Sequence, residues 1–242
     1  TNDALAEVQN KISTGYRVAE ASDNAAYWSI ATVMRSDNKA LSTVQDALGL
    51  GAAKVDITYT GLNSALDVVD EIKAKLVAAR EPGVDRSKLQ DEISELQAQL
   101  VGIATSSSFA GENWLSVNSA APAYSKIKSI VSSFTRTTTG VQVQLMSIDT
   151  ASTELFDAAD QSGILDSVFT TTGAGAVTVS VSTLDVSAAT LDDADIDDLI
   201  AFVDSKLQLI TTAASDIGAT KKRVTLQQDF VTTLMDAIDR GV

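Results

Sequence analysis

"LSTVQDALGLGAAKVDITYTGLNSALDVVDEIKAKL", residues 41–76, carries Leu41, Leu48, Val55, Leu62, Val69 and Leu76 at steps of seven. Seven residues make nearly two turns of α-helix, so this recurrence draws one apolar line along one face. Met34 extends the line backwards, and Leu66 and Ile72 widen it. The spacing predicts a helix over residues 25–80, despite Gly49, Gly51 and Gly61. Such a helix would be about 80 Å long at ~1.5 Å per residue. A stripe this narrow and this long needs other helices lying along it.

The chain offers two. "ISELQAQLVGI", residues 93–103, places Ile93, Leu96, Leu100 and Ile103 at spacings of three and four. "EPGVD", 81–85, ends the first helix, because Pro and Gly favour turns. Asp85 or Ser87 is a candidate N-cap for the second, which is predicted to run to about Ser106. Near the other end, Ile196, Val203, Ile210, Ile217, Val224, Val231 and Ile238 again recur every seven residues, all β-branched. Leu207, Ala214, Met235 and Val242 form a companion seam that Lys221 and Gln228 interrupt. A strict seven-residue period implies left-handed supercoiling against a partner. The late ribbon Ile196–Ile238 is therefore expected to lie antiparallel beside the early ribbon Leu41–Leu76. "TLDDADIDDL", 190–199, supplies a cap and acidic first turns suited to the positive end of the helix dipole.

Residues 107–192 are rich in Ser, Thr, Gly and Val. "KIKSIVSSFTR", "TTTG" and "GVQVQLMSI" read as a hairpin, the last with the period-two alternation of a half-buried strand. "AVTVSVSTL", 176–184, reads as a further strand, and "TTTGAGA", 170–176, as a flexible connection. The expected fold is mainly α with a β-rich insert. It would be an elongated antiparallel coiled-coil-like helical rod, with two N-terminal helices, one C-terminal helix, a β-hairpin and a small outer α+β or β domain. The expected division is a terminal segment 1–24, a rod with hairpin over 25–150 and 190–242, and an outer insert 151–189.

Composition narrows the function. The 242 residues are 45% apolar but only 5% aromatic, which suits helices packed side by side. A formal net charge of −14 opposes nucleic acid and anionic membranes. Cys and His are both absent, which excludes thiolate catalysis, disulfides, His-based triads and His- or Cys-ligated zinc. No apolar run reaches the length of a membrane span. The N-terminal stretch "TNDALAEVQNKIS" lacks the basic start and continuous apolar segment of a signal peptide. It starts in mid-pattern without Met, and the last stripe is still running at "FVTTLMDAIDRGV", so both ends are expected to be truncated.

"QNKISTGYRVAEASDNAAYWSIATVMRSD", 9–37, resembles the N-terminal signature of bacterial flagellins at Ile12, Ser13, Gly15, Arg17, Ala21, Asp23, Asn24, Ala25 and Ala26. "SSFAGENWL", 107–115, is similar to the family's turn after its second helix, and "IGATKKRV", 217–224, matches a C-terminal segment at Gly218, Ala219 and Arg223. "SDNAAYWSIA" and "GENWL" resemble the rhizobial, alphaproteobacterial branch. The resemblance implies a secreted, extracellular subunit of the flagellar filament. It implies export through the flagellar apparatus, with an export chaperone, a cap protein and other flagellin subunits as partners. The family's inner tube is built from paired terminal helices, so a chain truncated at both ends is expected to be monomeric. No enzyme activity, cofactor, metal, nucleic-acid or membrane partner is expected.

Candidate subunit-contact residues are Arg17, Asp23, Asn24, Tyr27, Trp28, Arg35 and Arg223. Their plainer reading is local: Ser22, Asp23 or Asn24 can cap the long helix, and Tyr27, Trp28 and Trp114 can pack. The heptad positions are read as an intramolecular core. Asp192, Asp193, Asp195, Asp197 and Asp198 lack EF-hand spacing and read as a solvated helix start rather than a calcium site. Nothing gathers carboxylates in a cleft for glycoside hydrolysis. A toll-like-receptor patch known in some flagellins would fall at "DEIKAKLVA", 70–78, where Asp70, Glu71, Lys73 and Lys75 replace its arginine pattern, so such recognition is expected to be weak or absent. The alternative function is a flagellin-like surface protein that binds an extracellular ligand such as a polysaccharide through residues 120–192.

Overall fold

The computed structural model describes residues 24–241, together with residues 5, 8, 9, 12, 13 and 15. The helices are α1 (Ala25–Ala79), α2 (Arg86–Ser106) and α3 (Asp193–Gly241). The strands are β1 (Ser108–Phe109), β2 (Glu112–Asn113), β3 (Ser116–Val117), β4 (Ile127–Thr137), β5 (Gly140–Asp149), β6 (Phe156–Asp157), β7 (Phe169–Thr170) and β8 (Thr178–Val179). The expected mainly helical fold, two helices early and one late with a hairpin between, is what forms. Local chemistry sets the boundaries. Gly83 takes φ 84° in the turn after α1, a conformation that favours glycine. Asp85 caps α2 by accepting from the Ser87 amide at 3.1 Å. The chain divides into two compact units.

The first unit combines α1 up to Ala52, residues 129–146 of the hairpin and α3 from Arg223 onward. Leu41, Val44 and Leu48 are buried, as are Ile130, Val224 and Val231. The helices run antiparallel. The Gln45 amide donates to Thr232 Oγ1 at 2.9 Å and the Asn38 amide donates to Asp239, so seven residues forward on α1 match seven back on α3. The hairpin docks on this pair. Gln227 Nε2 donates to the Ser132 carbonyl at 2.8 Å, and the Arg136 guanidinium donates to Asp37 at 2.6 and 2.9 Å. Gly51 leaves room for Ile130. Strand β5 departs from the half-buried reading: Val141, Val143 and Leu145 are 49%, 55% and 59% exposed, and burial begins only at Met146. The apolar phase switches at Leu145: the Val141, Val143 and Leu145 side is open, whereas Met146 and Ile148, on the other side, are buried.

The second unit holds residues 53–128 and 147–222. Here α1 contributes Val55, Leu62, Val69, Ile72 and Leu76, α2 contributes Ile93, Leu100 and Ala104, and α3 contributes Ile196, Val203, Ile210 and Ile217, all buried. Each such aliphatic side chain contributes about 1.5–3 kcal/mol of burial. Polar contacts fix the register. Lys221 pairs with Asp56 at 2.9 Å, Gly218 lies against the Tyr59 ring, Lys73 pairs with Asp204 at 2.6 Å, and Arg80 pairs with Asp197 at 2.8 Å. Each advance along α1 is matched by an equal retreat along α3, the antiparallel zipper that the heptads require. Helix α2 joins through a Lys75–Glu92 ion pair and through Arg86, which donates to the Ala79 carbonyl at 3.0 Å.

Loops complete this unit. Ala110 and Gly111, at φ 52° and 79°, turn β1 back onto β2, as a two-residue hairpin with both residues at positive φ demands. Asn113 then accepts from the Leu115 and Ser116 amides at 2.9 Å and donates to the Ala104 carbonyl at 2.7 Å. The strand expected over 176–184 is only Thr178–Val179, paired with β7. Beyond it the chain turns, because the Thr183 hydroxyl captures the Ser180 amide at 2.9 Å and the Ser180 carbonyl accepts the Leu184 amide at 2.9 Å. Val181, Leu184 and Val186 are buried, and α2 holds their backbone: Gln97 donates to the Val181 and Leu184 carbonyls at 3.0 Å, and Gln90 accepts from Val186 N at 2.8 Å.

Candidate subunit-contact surface

The first turns of α1 begin at Asn24, whose side-chain oxygen faces the Tyr27 amide at 3.4 Å and whose carbonyl accepts from Trp28 N at 2.9 Å. Asn24 is thus the cap of the long helix. Tyr27 is 65% exposed and Ile30 57%, with Val33 also exposed, while Trp28 and Arg35 are half-buried. Large apolar side chains at spacings of three, left in water on a capped helix, form a surface suited to covering by another molecule. Arg17 and Asp23 lie outside the described residues. Arg223 is exposed on α3, more than two turns before Thr232, the residue opposite Gln45. The structure therefore gathers Asn24, Tyr27, Trp28 and Arg35 on one helix start and leaves Arg223 apart.

Trp114 is core: it is 2% exposed, its indole N–H donates to Glu112 at 3.4 Å, and its carbonyl accepts from Thr153 at 2.9 Å. Glu112 pairs with Lys54 at 2.8 Å, and this lysine, helped by the Trp114 indole, sets its carboxyl below the usual range against the opposing effect of burial. In the stretch 70–78, Lys73 is bound to Asp204 and Lys75 to Glu92. Glu71, Lys75, Glu92, Glu95 and Leu96 line an open surface groove of about 530 Å³.

The acidic run does start α3, with Asp193 and Asp197 exposed as expected, but it is more than solvated. It splits by helical periodicity into two faces. Asp193 and Asp197 meet Arg80 at 2.8 Å, and Asp193 also meets Arg86. Asp192, Asp195 and Asp198 turn to the loop 171–175 and accept from the amides of Ala174, Gly175 and Thr172 at 3.0, 3.0 and 2.7 Å. Asp195 is fully buried. The Thr171 hydroxyl and the amides of Asp192 and Gly175 hold its carboxyl below the usual range against the opposing effect of burial. Glycines permit the clamp, since a Cβ at Gly173 or Gly175 would collide with these aspartates. The loop expected to be a flexible connection is thus tied down at three points. Among the described residues, no group of three or more carboxylates is placed to hold a metal ion, and no helix is long and apolar enough to cross a membrane.

Paired helices with a seven-residue seam, carboxylates spent on backbone amides and an exposed tyrosine at a helix start mark a protein built for packing. The family described as the bacterial flagellin N-terminal helical region matches residues 1–120. Flagellin C of Rhizobium meliloti is 47% identical over all of this chain and 80% of its own length. A flagellin A of Rhizobium meliloti is 37% identical over all of this chain and 84% of its own length. A flagellin of Brucella melitensis is 36% identical over all of this chain and 77% of its own length. The fold is also that of the crystal structure of Bacillus cereus flagellin, at 18% identity and a TM-score of 0.50, covering 78% of this chain and 88% of that one. The chain belongs to the flagellin family. It is a structural subunit of the extracellular bacterial flagellar filament and assembles with other flagellin subunits.

Proposed function

We propose that the chain meets its neighbours in the filament through the start of α1, with Asn24 setting the helix and Tyr27 and Trp28 making the contact. The carrying observation is Tyr27 at 65% exposure, followed by exposed Ile30 and Val33, in a chain with four tyrosines and two tryptophans. Arg35, Arg223, Arg17 and Asp23 join this reading as polar contacts. The protein works by packing rather than by catalysis. An export chaperone and a cap protein serve it before and during assembly, as the flagellin resemblance implies. Recognition by a toll-like receptor is weak, since the lysines of 70–78 are engaged by Asp204 and Glu92.

The test is disassembly of filaments on heating. Tyr27→Ser should leave export and monomer folding intact but lower the disassembly temperature. An unchanged temperature would show that this surface faces solvent in the filament. The alternative of polysaccharide capture through the insert finds no support in the packing: the Phe169 ring stacks on Phe202 at 4.9 Å and is not offered for sugar stacking.

A further inference from the structure

Among the described lysines, Lys206 on α3 is held differently. It is half-buried, and what touches its ammonium is a hydroxyl and a ring. Its Nζ donates to Ser167 Oγ at 2.7 Å and lies 5.2 Å from the centroid of the Phe202 ring. Phe169 stacks on that ring, so the amine belongs to an aromatic cluster. Lys54, Lys73, Lys75 and Lys221 each have a carboxylate oxygen within ion-pair distance. Among the described residues none pairs with Lys206, and Asp166 acts on it from farther off.

A hydroxyl and a ring face return less than a carboxylate to an ammonium that has lost part of its hydration. Burial favours the neutral amine and outweighs the pull of Asp166, so the Lys206 pKa lies below the ordinary 10.5. A lysine desolvated among apolar groups keeps a free lone pair, and is a nucleophile, where a solvated lysine is still charged.

We propose that Lys206 is an acylation site that takes its acyl group from a small uncharged thioester. The aromatic surroundings admit such a group, and the net charge of −14 works against an anionic donor. The Nζ lone pair attacks the thioester carbonyl carbon, a C–N bond forms and the C–S bond breaks. The thiolate leaves and takes up the proton that the nitrogen sheds. An amide and a free thiol result, and the chain loses one positive charge. The site is independent of the filament contacts.

The test treats the folded full chain with the acetyl thioester of N-acetylcysteamine and follows each lysine by peptide mass spectrometry. Lys222, exposed on the same helix, is the comparator. At pH 8 Lys206 should react about threefold faster or more, and its rate should rise at lower pH than that of Lys222. Asp166→Asn removes the opposing carboxylate, so it should raise the Lys206 rate further and leave the Lys222 rate unchanged. A Lys206 rate equal to or below that of Lys222 at every pH overturns the proposal. So does a preference for Lys206 that persists in urea-unfolded chain, because local sequence rather than the cluster would then set it.

Discussion

Gly51 on α1 lies so close to Ile130 on β4 that a Cβ added at 51 would stand 2.7 Å from the Ile130 Cδ1. Two residues earlier, a Cβ at Gly49 would meet nothing within 4 Å. Two glycines of the same helix therefore have opposite meanings. Gly49 costs helix propensity with no packing return, while Gly51 is the clearance that lets the hairpin dock.

Gly49→Ala should accordingly stabilise the protein by about 0.5–1 kcal/mol. Gly51→Ala should destabilise it by about 1–3 kcal/mol through overpacking, despite the same gain in propensity. Thermal unfolding of both variants decides this. A stabilised Gly51→Ala would show that Ile130 does not sit where the structure puts it.

Leu209 and Ile210 are neighbours in α3, one 50% exposed and the other fully buried. Ile210→Ala should cost about 2–5 kcal/mol, whereas Leu209→Ala should stay within about 0.5 kcal/mol. Denaturant unfolding measures both, and similar losses at the two sites would contradict the seven-residue seam.

That seam was legible because a period persists over many residues. Leu41 through Leu76 and Ile196 through Val231 are buried as their spacing demands, and within each unit the two ribbons pair antiparallel. What was not legible depends on contacts distant in sequence. Alternation in "GVQVQLMSI" says that a strand has two faces but not which one meets the helices. In 176–184 the alternation was genuine, yet Ser180 and Thr183 bond locally and stop the strand at Val179. The run 192–198 read as solvated because its partners, the amides of 172–175, lie about twenty residues upstream and carry no side-chain signal. Spacing could have helped there: Asp192, Asp195 and Asp198 recur every three residues and share a helix face. Of the contact residues, the exposure of Tyr27 could be read only from the structure.

Asp195 is the buried one of three aspartates that anchor the loop 171–175, so removing it should loosen the loop and little else. In Asp195→Ala, the amides of Gly175 and Asp192 lose their acceptor. Hydrogen exchange of the Thr172–Gly175 amides should accelerate about tenfold, while exchange in the middle of α1 stays unchanged. Acceleration spread evenly over the chain would mean that Asp195 supports the whole unit instead.

Asp157 gives this protein a specific acid sensitivity. Burial favours its neutral form, but the Ser119 and Ala159 amides, donating at 3.0 and 2.9 Å, prevail and hold its pKa at about 2, below an ordinary 3.8. A carboxyl depressed on folding stabilises the fold above its unfolded pKa. That contribution is lost as pH falls through the window from about 3.8 to about 2. Asp166, which accepts from the Asp157 amide at 2.8 Å, is shifted upward by burial and acts in the opposite sense. Asp157→Asn therefore separates the two groups. It should lower the unfolding midpoint at pH 7 by about 2–4 °C and flatten the fall in stability between pH 4 and 2. If the variant unfolds in acid as steeply as the parent, another carboxylate sets that transition.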